Sequence, residues 1–167
     1  RRRIRSVQNT GKVTNAMSLV AASKMRRAKN AVLEGRPYSE KIRGVIANLA
    51  AQPRDDDTSA HPLLQVRPVH RIGVLAITPD RGLAGGLHST INRALAQFIL
   101  GQEAPVRTVV VVRKGRDFMV RSGQDVQAVF TDLGDRPSVT DTTPISRLVI
   151  ESYEQGYVDG VYLCYSK

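Results

Sequence analysis

The feature that most limits how this chain can fold is a helical pattern covering its first third. From Ile4 to about Leu49 the sequence is rich in Ala, Lys, Arg, Met and Leu, and only three glycines and Pro37 interrupt it. A continuous helix of that length would measure on the order of 70 Å. Because proline lacks a backbone N–H and collides with the preceding turn, we expect Pro37 to bend or interrupt this helix.

One face of this helix is apolar and needs to be covered. Residues that recur every three or four positions form a heptad seam with small side chains in its middle, so a partner helix could approach closely there. The seam comprises Ile4, Val7, Gly11, Thr14, Ser18, Ala21, Met25, Ala28 and Val32, and it is widened by Val13, Met17 and Val20. A single helix with so much apolar surface is not stable alone in water.

The partner for the seam is expected from outside this sequence. The later helical segments are about ten to eighteen residues long, too short to cover the seam along its length. The partner helix should therefore come from another chain or from sequence after Lys167. The chain also lacks an initiator Met and stops at a strand with no closing helix, so we expect both ends to be truncated.

The positive charge of the chain is concentrated in the same helix. The formal net charge is +10, yet residues 1–54 alone hold 13 Lys and Arg against only Glu34 and Glu40. A basic cluster, Lys24, Arg26, Arg27 and Lys29, lies just beyond the second apolar stripe. Such asymmetry indicates an acidic partner, which could be nucleic acid, an anionic membrane or an acidic protein surface.

The rest of the sequence has the alternating pattern of an α/β domain. Residues 1–52 are interpreted as the long helix, 53–71 as a linker with one short turn around Leu63 and Leu64, and 72–167 as the α/β domain. Predicted strands and helices alternate in the order Ile72–Ile77, Gly86–Leu100, Val106–Val112, Lys114–Ser122, Val126–Phe130, Ser138–Gln155 and Val158–Tyr165. This order predicts a mostly parallel sheet with right-handed crossovers.

A glycine-containing loop, Thr78–Gly86, follows the first strand, where α/β folds often bind phosphate groups. Its spacing matches neither the P-loop nor the dinucleotide fingerprint. A nucleotide-binding α/β protein remains an alternative, because Arg113, Lys114 and Arg116 end the second strand where a ribose phosphate could lie. The simpler interpretation is a tight strand-to-helix turn that needs no ligand.

No other pattern indicates catalysis, a metal or a cofactor. Cys164 lies among apolar strand residues and is interpreted as a strand thiol rather than a nucleophile. His61, His70 and His88 have no neighbours at metal-ligand spacing. No apolar run approaches the ~20 residues of a membrane span. A basic nucleic-acid-binding helix stays open as a second alternative, although no aromatic residue precedes Tyr38 for base stacking.

Several motifs resemble one family along the whole chain, the gamma subunits of F-type ATP synthases. The helix carries Arg3–Thr10, Lys12–Met17 and Val20–Ala28, and matches continue in order through Arg36–Tyr38, His61–Leu64, Asp80–Leu83 with Gly85–Gly86, Gly134–Ser138 and Val161–Leu163. The sequence departs from the family pattern where Gly11 replaces a customary Gln, Asn15 a Lys and Ala84 a Cys.

The resemblance implies a non-catalytic central-stalk rotor subunit without cofactors. Its N-terminal helix would form an antiparallel coiled coil with a C-terminal helix, above a Rossmann-like α/β domain. The implied partners are the alpha and beta subunits, epsilon and the membrane c-ring, and not nucleic acid. Proton flow through the c-ring would drive rotation coupled to ATP synthesis or hydrolysis at beta-subunit sites.

The resemblance also assigns contacts and a location. It places Met17, Lys24, Arg26 and Arg27 near acidic loops of beta subunits, with Arg81 making a further charged contact. The protein would be peripheral, at the cytoplasmic face of the bacterial plasma membrane or the equivalent organelle face.

Overall fold

The computed structural model describes residues 1–51, 61–65, 67–134 and 136–166. The chain divides into two compact units, Arg1–Thr58 and Ser59–Lys167, and each is described by itself. Residues 53–60 and Val66 of the predicted linker 53–71 lie outside the described residues, and so does Asp135 of the Gly134–Ser138 motif.

The first unit is one α-helix, α1 (Arg2–Ala51), of 50 residues. Of the bend or interruption predicted at Pro37, the interruption is wrong, because the helix continues on both sides of this residue. A proline inside a helix costs about 3 kcal/mol, because it removes one backbone hydrogen bond and collides with the preceding turn. Good helix formers on either side, such as Leu33 and Lys41, offset that cost.

The second unit alternates strands and helices after a short 3-10 turn at Pro62–Leu64. Its elements are β1 (Ile72–Ile77), α2 (Leu87–Leu100), β2 (Val106–Val111), α3 (Arg113–Arg121), β3 (Asp125–Phe130), α4 (Val139–Glu154) and β4 (Gly160–Cys164). All seven were predicted from the sequence. The largest difference is β4, which begins at Gly160 rather than at Val158.

The four strands form one parallel sheet in the order β3-β2-β1-β4. Ile72 at the start of β1 is in register with Val106 of β2 on one side and with Gly160 of β4 on the other. All three pairings are parallel, so the predicted α/β fold with a parallel sheet is confirmed. The carboxyl ends of all four strands therefore meet at one edge, where the Thr78–Gly86 loop begins.

Two apolar clusters form the core of this unit. The larger joins β1, β2, α2 and α3 through buried residues: Ile72, Val74, Ala76, Leu95, Ile99, Val110 and Met119. The smaller joins the end of β2 to α4 through Val111, Val112 and Ile145. Since alternate strand residues point to opposite faces, α2 and α3 cover one face and α4 the other.

A segment just before β1 is fastened to α4 and to the turn before β4. The Arg67 guanidinium donates from Nη1 to the Tyr153 carbonyl at 2.9 Å and lies 4.6 Å from the centre of the Tyr153 ring. Asp159 accepts hydrogen bonds at its Oδ2 from the backbone N–H groups of His70 at 3.0 Å and Arg71 at 2.9 Å. These contacts fix where β1 starts.

The Asp159 contact predicts an acid-sensitive step in stability. The hydrogen bond from the His70 N–H is the main reason that the pKa of Asp159 lies below its usual value of 3.8. A lowered pKa in the folded state means that the carboxylate stabilises the fold above about pH 4 and loses that effect as the pH falls through and below this value.

Asp159→Asn should therefore be less stable than the unmodified chain at pH 7, and the two should converge towards pH 3. Urea unfolding at a series of pH values measures the difference. Asp141, whose pKa is also lowered, by hydrogen bonds from Ser138, contributes equally to both proteins and cancels. A difference that stays constant from pH 7 to pH 3 would contradict this explanation.

Candidate functional site

The apolar seam of α1 is solvent-exposed along its length. Its largest side chains, Ile4, Val7, Met25 and Val32, keep between 62% and 73% of their surface accessible. No residue of α1 is buried. Side chains of this kind rarely stay exposed in a row on a stable soluble protein, so the seam is a candidate interaction surface.

The small residues of the seam leave a shallow groove in its N-terminal half. Gly11, Thr14 and Ser18 line it together with Val7, Thr10 and Asn15. A Cβ added at Gly11 would meet nothing within 4 Å, so the groove has room for a side chain of a partner. The hydroxyls of Thr10 and Thr14 donate to the carbonyls of Ser6 and Thr10, which satisfies these polar groups within the helix.

Only part of the predicted basic contact set shares one side of α1. Each residue turns the helix by about 100°. Lys24 lies two turns after Met17 and faces almost the same way, and Arg27, three residues further on, lies beside Lys24. Arg26 points about 160° away from Lys24, onto the opposite flank of the seam. The continuous helix therefore groups Met17, Lys24 and Arg27 and separates Arg26 from them.

The remaining predicted contact, Arg81, lies in the Thr78–Gly86 loop at the carboxyl edge of the sheet. Thr78 is buried at the start of this loop, and its Oγ1 donates to the Val111 carbonyl at 3.3 Å. Leu83 has a φ of 60° and is 95% exposed at the tip of the loop. The loop ends at Gly86, the N-cap of α2, which is made without a side-chain hydrogen bond.

Sequence reasoning missed two residues that shape this loop. The ring Nε2 of His88, in the first turn of α2, lies 2.7 Å from the Arg81 carbonyl oxygen. Gly115 of α3 approaches Thr78 so closely that an added Cβ would lie 2.6 Å from its Oγ1. A histidine seven residues after Arg81 is only a weak sequence signal of a contact with this loop. The contact of Gly115 with Thr78 joins elements distant in sequence, so no sequence pattern indicates it.

The described residues offer no arrangement suited to metal binding, as they contain no group of three or more His, Cys, Asp or Glu side chains that could hold an ion. His61 instead uses Nδ1 to accept a hydrogen bond from the Leu63 N–H.

Cys164 is half-buried in β4, and burial raises the pKa of its thiol, which disfavours the reactive thiolate. Among the described residues, no helix combines the length and hydropathy needed to cross a membrane.

Comparisons with known proteins agree with the motifs. The family model described as ATP synthase matches residues 1–167. The ATP synthase gamma chain of Dehalococcoides mccartyi is 52% identical over the whole chain, and that of Herpetosiphon aurantiacus is 46% identical over 92% of it. The chain spans 58% and 53% of the lengths of these two relatives.

One solved structure also matches, the rotor of the Euglena gracilis mitochondrial ATP synthase. It aligns with 84% of this chain and 52% of its own, at 13% identity and a TM-score of 0.43. That similarity is too low to add to the assignment. The family model matches the full chain and the similar relatives are ATP synthase gamma chains, so the chain belongs to the gamma-chain family of ATP synthases.

Proposed function

We propose that this chain forms part of the central rotor of an F-type ATP synthase and does not itself catalyse a reaction. Its rotation would couple proton flow through a membrane c-ring to ATP synthesis or hydrolysis on beta subunits. The observation that carries the proposal is a 50-residue helix whose apolar seam is exposed and whose charge is strongly positive. The names of the relatives, ATP synthase gamma chain, support it.

The seam would hold an antiparallel partner helix that completes the shaft. Exposed Val7 and Met25 lie on either side of the small residues in the middle of the seam and would supply apolar knobs, while the groove around Gly11 admits side chains of the partner. Small residues such as Ala21 and Ala22 would let the two backbones approach closely and keep the shaft narrow.

The basic side chains would face acidic loops of the surrounding beta subunits. Met17, Lys24 and Arg27 would meet one such loop, Arg26 on the opposite flank another, and Arg81 a further acidic segment of beta. Because attraction between exposed charges acts over about 10 Å, it can hold a shaft without locking it in one orientation. The α/β unit would contact epsilon and the c-ring, as part of a peripheral complex at the cytoplasmic face of the membrane or its organelle equivalent.

Reconstitution tests this proposal. The full-length protein would be mixed with alpha and beta subunits, and gel filtration would be combined with an assay of ATP hydrolysis. Co-elution in an active complex supports the rotor function. If the protein elutes alone, nucleotide titration and a salt-dependent gel shift become decisive, because they test the nucleotide-binding and nucleic-acid-binding alternatives.

The proposed contact set predicts the effect of reversing one charge. Lys24→Glu should weaken association with alpha and beta about tenfold at low salt, since it replaces attraction by repulsion towards an acidic loop. Titration at about 20 mM and about 500 mM salt would measure this, because the difference should disappear when charges are screened.

Lys12→Glu provides the matched control. It makes the same change in net charge on the same exposed helix, but about 120° away from Lys24 and outside the contact set. Equal losses for the two variants would show that overall charge matters and not the Met17–Lys24 side of α1.

A further inference from the structure

The loop that carries Arg81 is fixed at both of its ends. At the first, Thr78 is buried and bonded to the carbonyl of Val111. At the second, the Gly86 carbonyl accepts hydrogen bonds from Ser89 Oγ at 2.8 Å and from Thr90 Oγ1 at 2.9 Å. Between these ends, the segment from Asp80 to Gly85 is exposed except for half-buried Ala84.

His88 supplies a contact to the middle of this loop from its side chain. Its Nε2 lies 2.7 Å from the carbonyl oxygen of Arg81. A carbonyl oxygen can only accept, so the ring must carry a proton on Nε2 and donate it. Because His88 itself is held in the first turn of α2, this hydrogen bond ties the backbone of Arg81 to a regular element.

The loop needs such a tie because part of it has an unfavourable backbone conformation. Leu83 has a φ of 60°, a left-handed value that side chains other than Gly, Asn and Asp disfavour. Its side chain is 95% exposed, so the burial of this side chain within the chain does not offset the energetic cost of that φ. On either side of Leu83, the Arg81 carbonyl accepts a hydrogen bond from His88 at 2.7 Å and the Ala84 carbonyl accepts one from the Leu87 N–H at 3.2 Å.

We infer that His88 is a positioning residue: through the Arg81 carbonyl it holds the loop in the conformation that presents Arg81 and Leu83 to a protein partner. This inference rests on the proposed function, in which Arg81 contacts an acidic segment of beta. It adds a residue outside the contact set and an apolar anchor, Leu83, next to the charged one. A preformed loop loses less conformational entropy on binding and so binds more tightly.

A pair of substitutions isolates the hydrogen bond. His88→Gln keeps a side-chain N–H donor of similar reach, and His88→Met has similar length without a donor. Hydrogen exchange of the full-length protein, followed at the Leu87 amide that donates to the Ala84 carbonyl at 3.2 Å, reports on the loop before any partner is added. We expect exchange to be about threefold to tenfold faster in His88→Met and nearly unchanged in His88→Gln, from the net strength of one hydrogen bond.

Affinity for the alpha and beta subunits then tests the consequence for binding. His88→Met should weaken association about threefold or more, and it should have much less effect when Arg81→Ala is already present, since the two act through one contact. Equal losses in both backgrounds, or unchanged exchange in His88→Met, would overturn the inference. If the unmodified protein does not associate at all, the proposed function fails, while the exchange measurement still decides whether His88 holds the loop.

Discussion

Leu95→Ala should lower the free energy of unfolding of the α/β unit by about 3 kcal/mol or more. Leu95 lies in α2, is completely buried, and belongs to the cluster that joins β1, β2 and α3. Truncation removes apolar contacts and leaves a cavity that rigid neighbours on the sheet cannot fill. For a unit of roughly 100 residues, such a loss corresponds to a fall in Tm on the order of 15 °C.

Leu100→Ala is the matched control, since it makes the same chemical change in the same helix at a side chain that is 79% exposed. It should change the stability by less than about 0.5 kcal/mol. Tyrosine near-ultraviolet circular dichroism suits the measurement, because four of the five tyrosines lie between residues 153 and 165. Equal effects of the two substitutions would show that α2 does not pack on the sheet as described.

The architecture was largely predictable because its signals are local. Apolar runs such as Val109–Val112 and the glycines between elements mark strand and helix without knowledge of their neighbours. The seven elements of the α/β unit therefore agree with the prediction to within about two residues. The helix α1 was equally predictable, since its composition and period lie within a single element, whereas the pairing of its seam with another helix stays a prediction.

Features that depend on contacts distant in sequence were not predictable in this way. The placement of β4 beside β1, and not beside β3, follows from how α4 crosses the sheet. Val112 adopts a φ of 78° between β2 and α3, an unfavourable value for a β-branched residue that no sequence pattern announces.

The candidate contacts also differ in how far the sequence alone could predict them. The resemblance assigned Met17, Lys24, Arg26 and Arg27 to acidic loops of beta, and the helical period of α1 places Arg26 on the other flank of the seam from Lys24. Those contacts and Arg81 remain predictions about partners. The hydrogen bond of His88 could not be predicted from the sequence, because its acceptor is a backbone carbonyl, which any residue at position 81 would provide.

Gly115→Ala should destabilise the α/β unit by about 2 kcal/mol, although the same change inside an open helix stabilises by about 1 kcal/mol. Gly115 is buried in the first turn of α3. An added Cβ would lie 2.6 Å from Thr78 Oγ1 and 2.8 Å from Val110 Cγ1, closer than a Cβ approaches other side chains in folded proteins. Either both neighbours or α3 itself would have to move, and these neighbours are fixed by the sheet, since Thr78 directly follows β1 and Val110 lies in β2.

Two comparisons make this last prediction specific to the contact. Gly101 directly follows α2 with a φ of −84°, and the nearest atom to a Cβ added there is 3.4 Å away. Gly101→Ala should therefore leave the stability almost unchanged. Combining Gly115→Ala with Thr78→Ala removes the closer of the two clashes, so the double variant should lose less than the two single losses together. Urea unfolding of the three single variants, the double variant and the unmodified chain measures these losses. Strict additivity would mean that the close approach of α3 to the end of β1 does not constrain this fold.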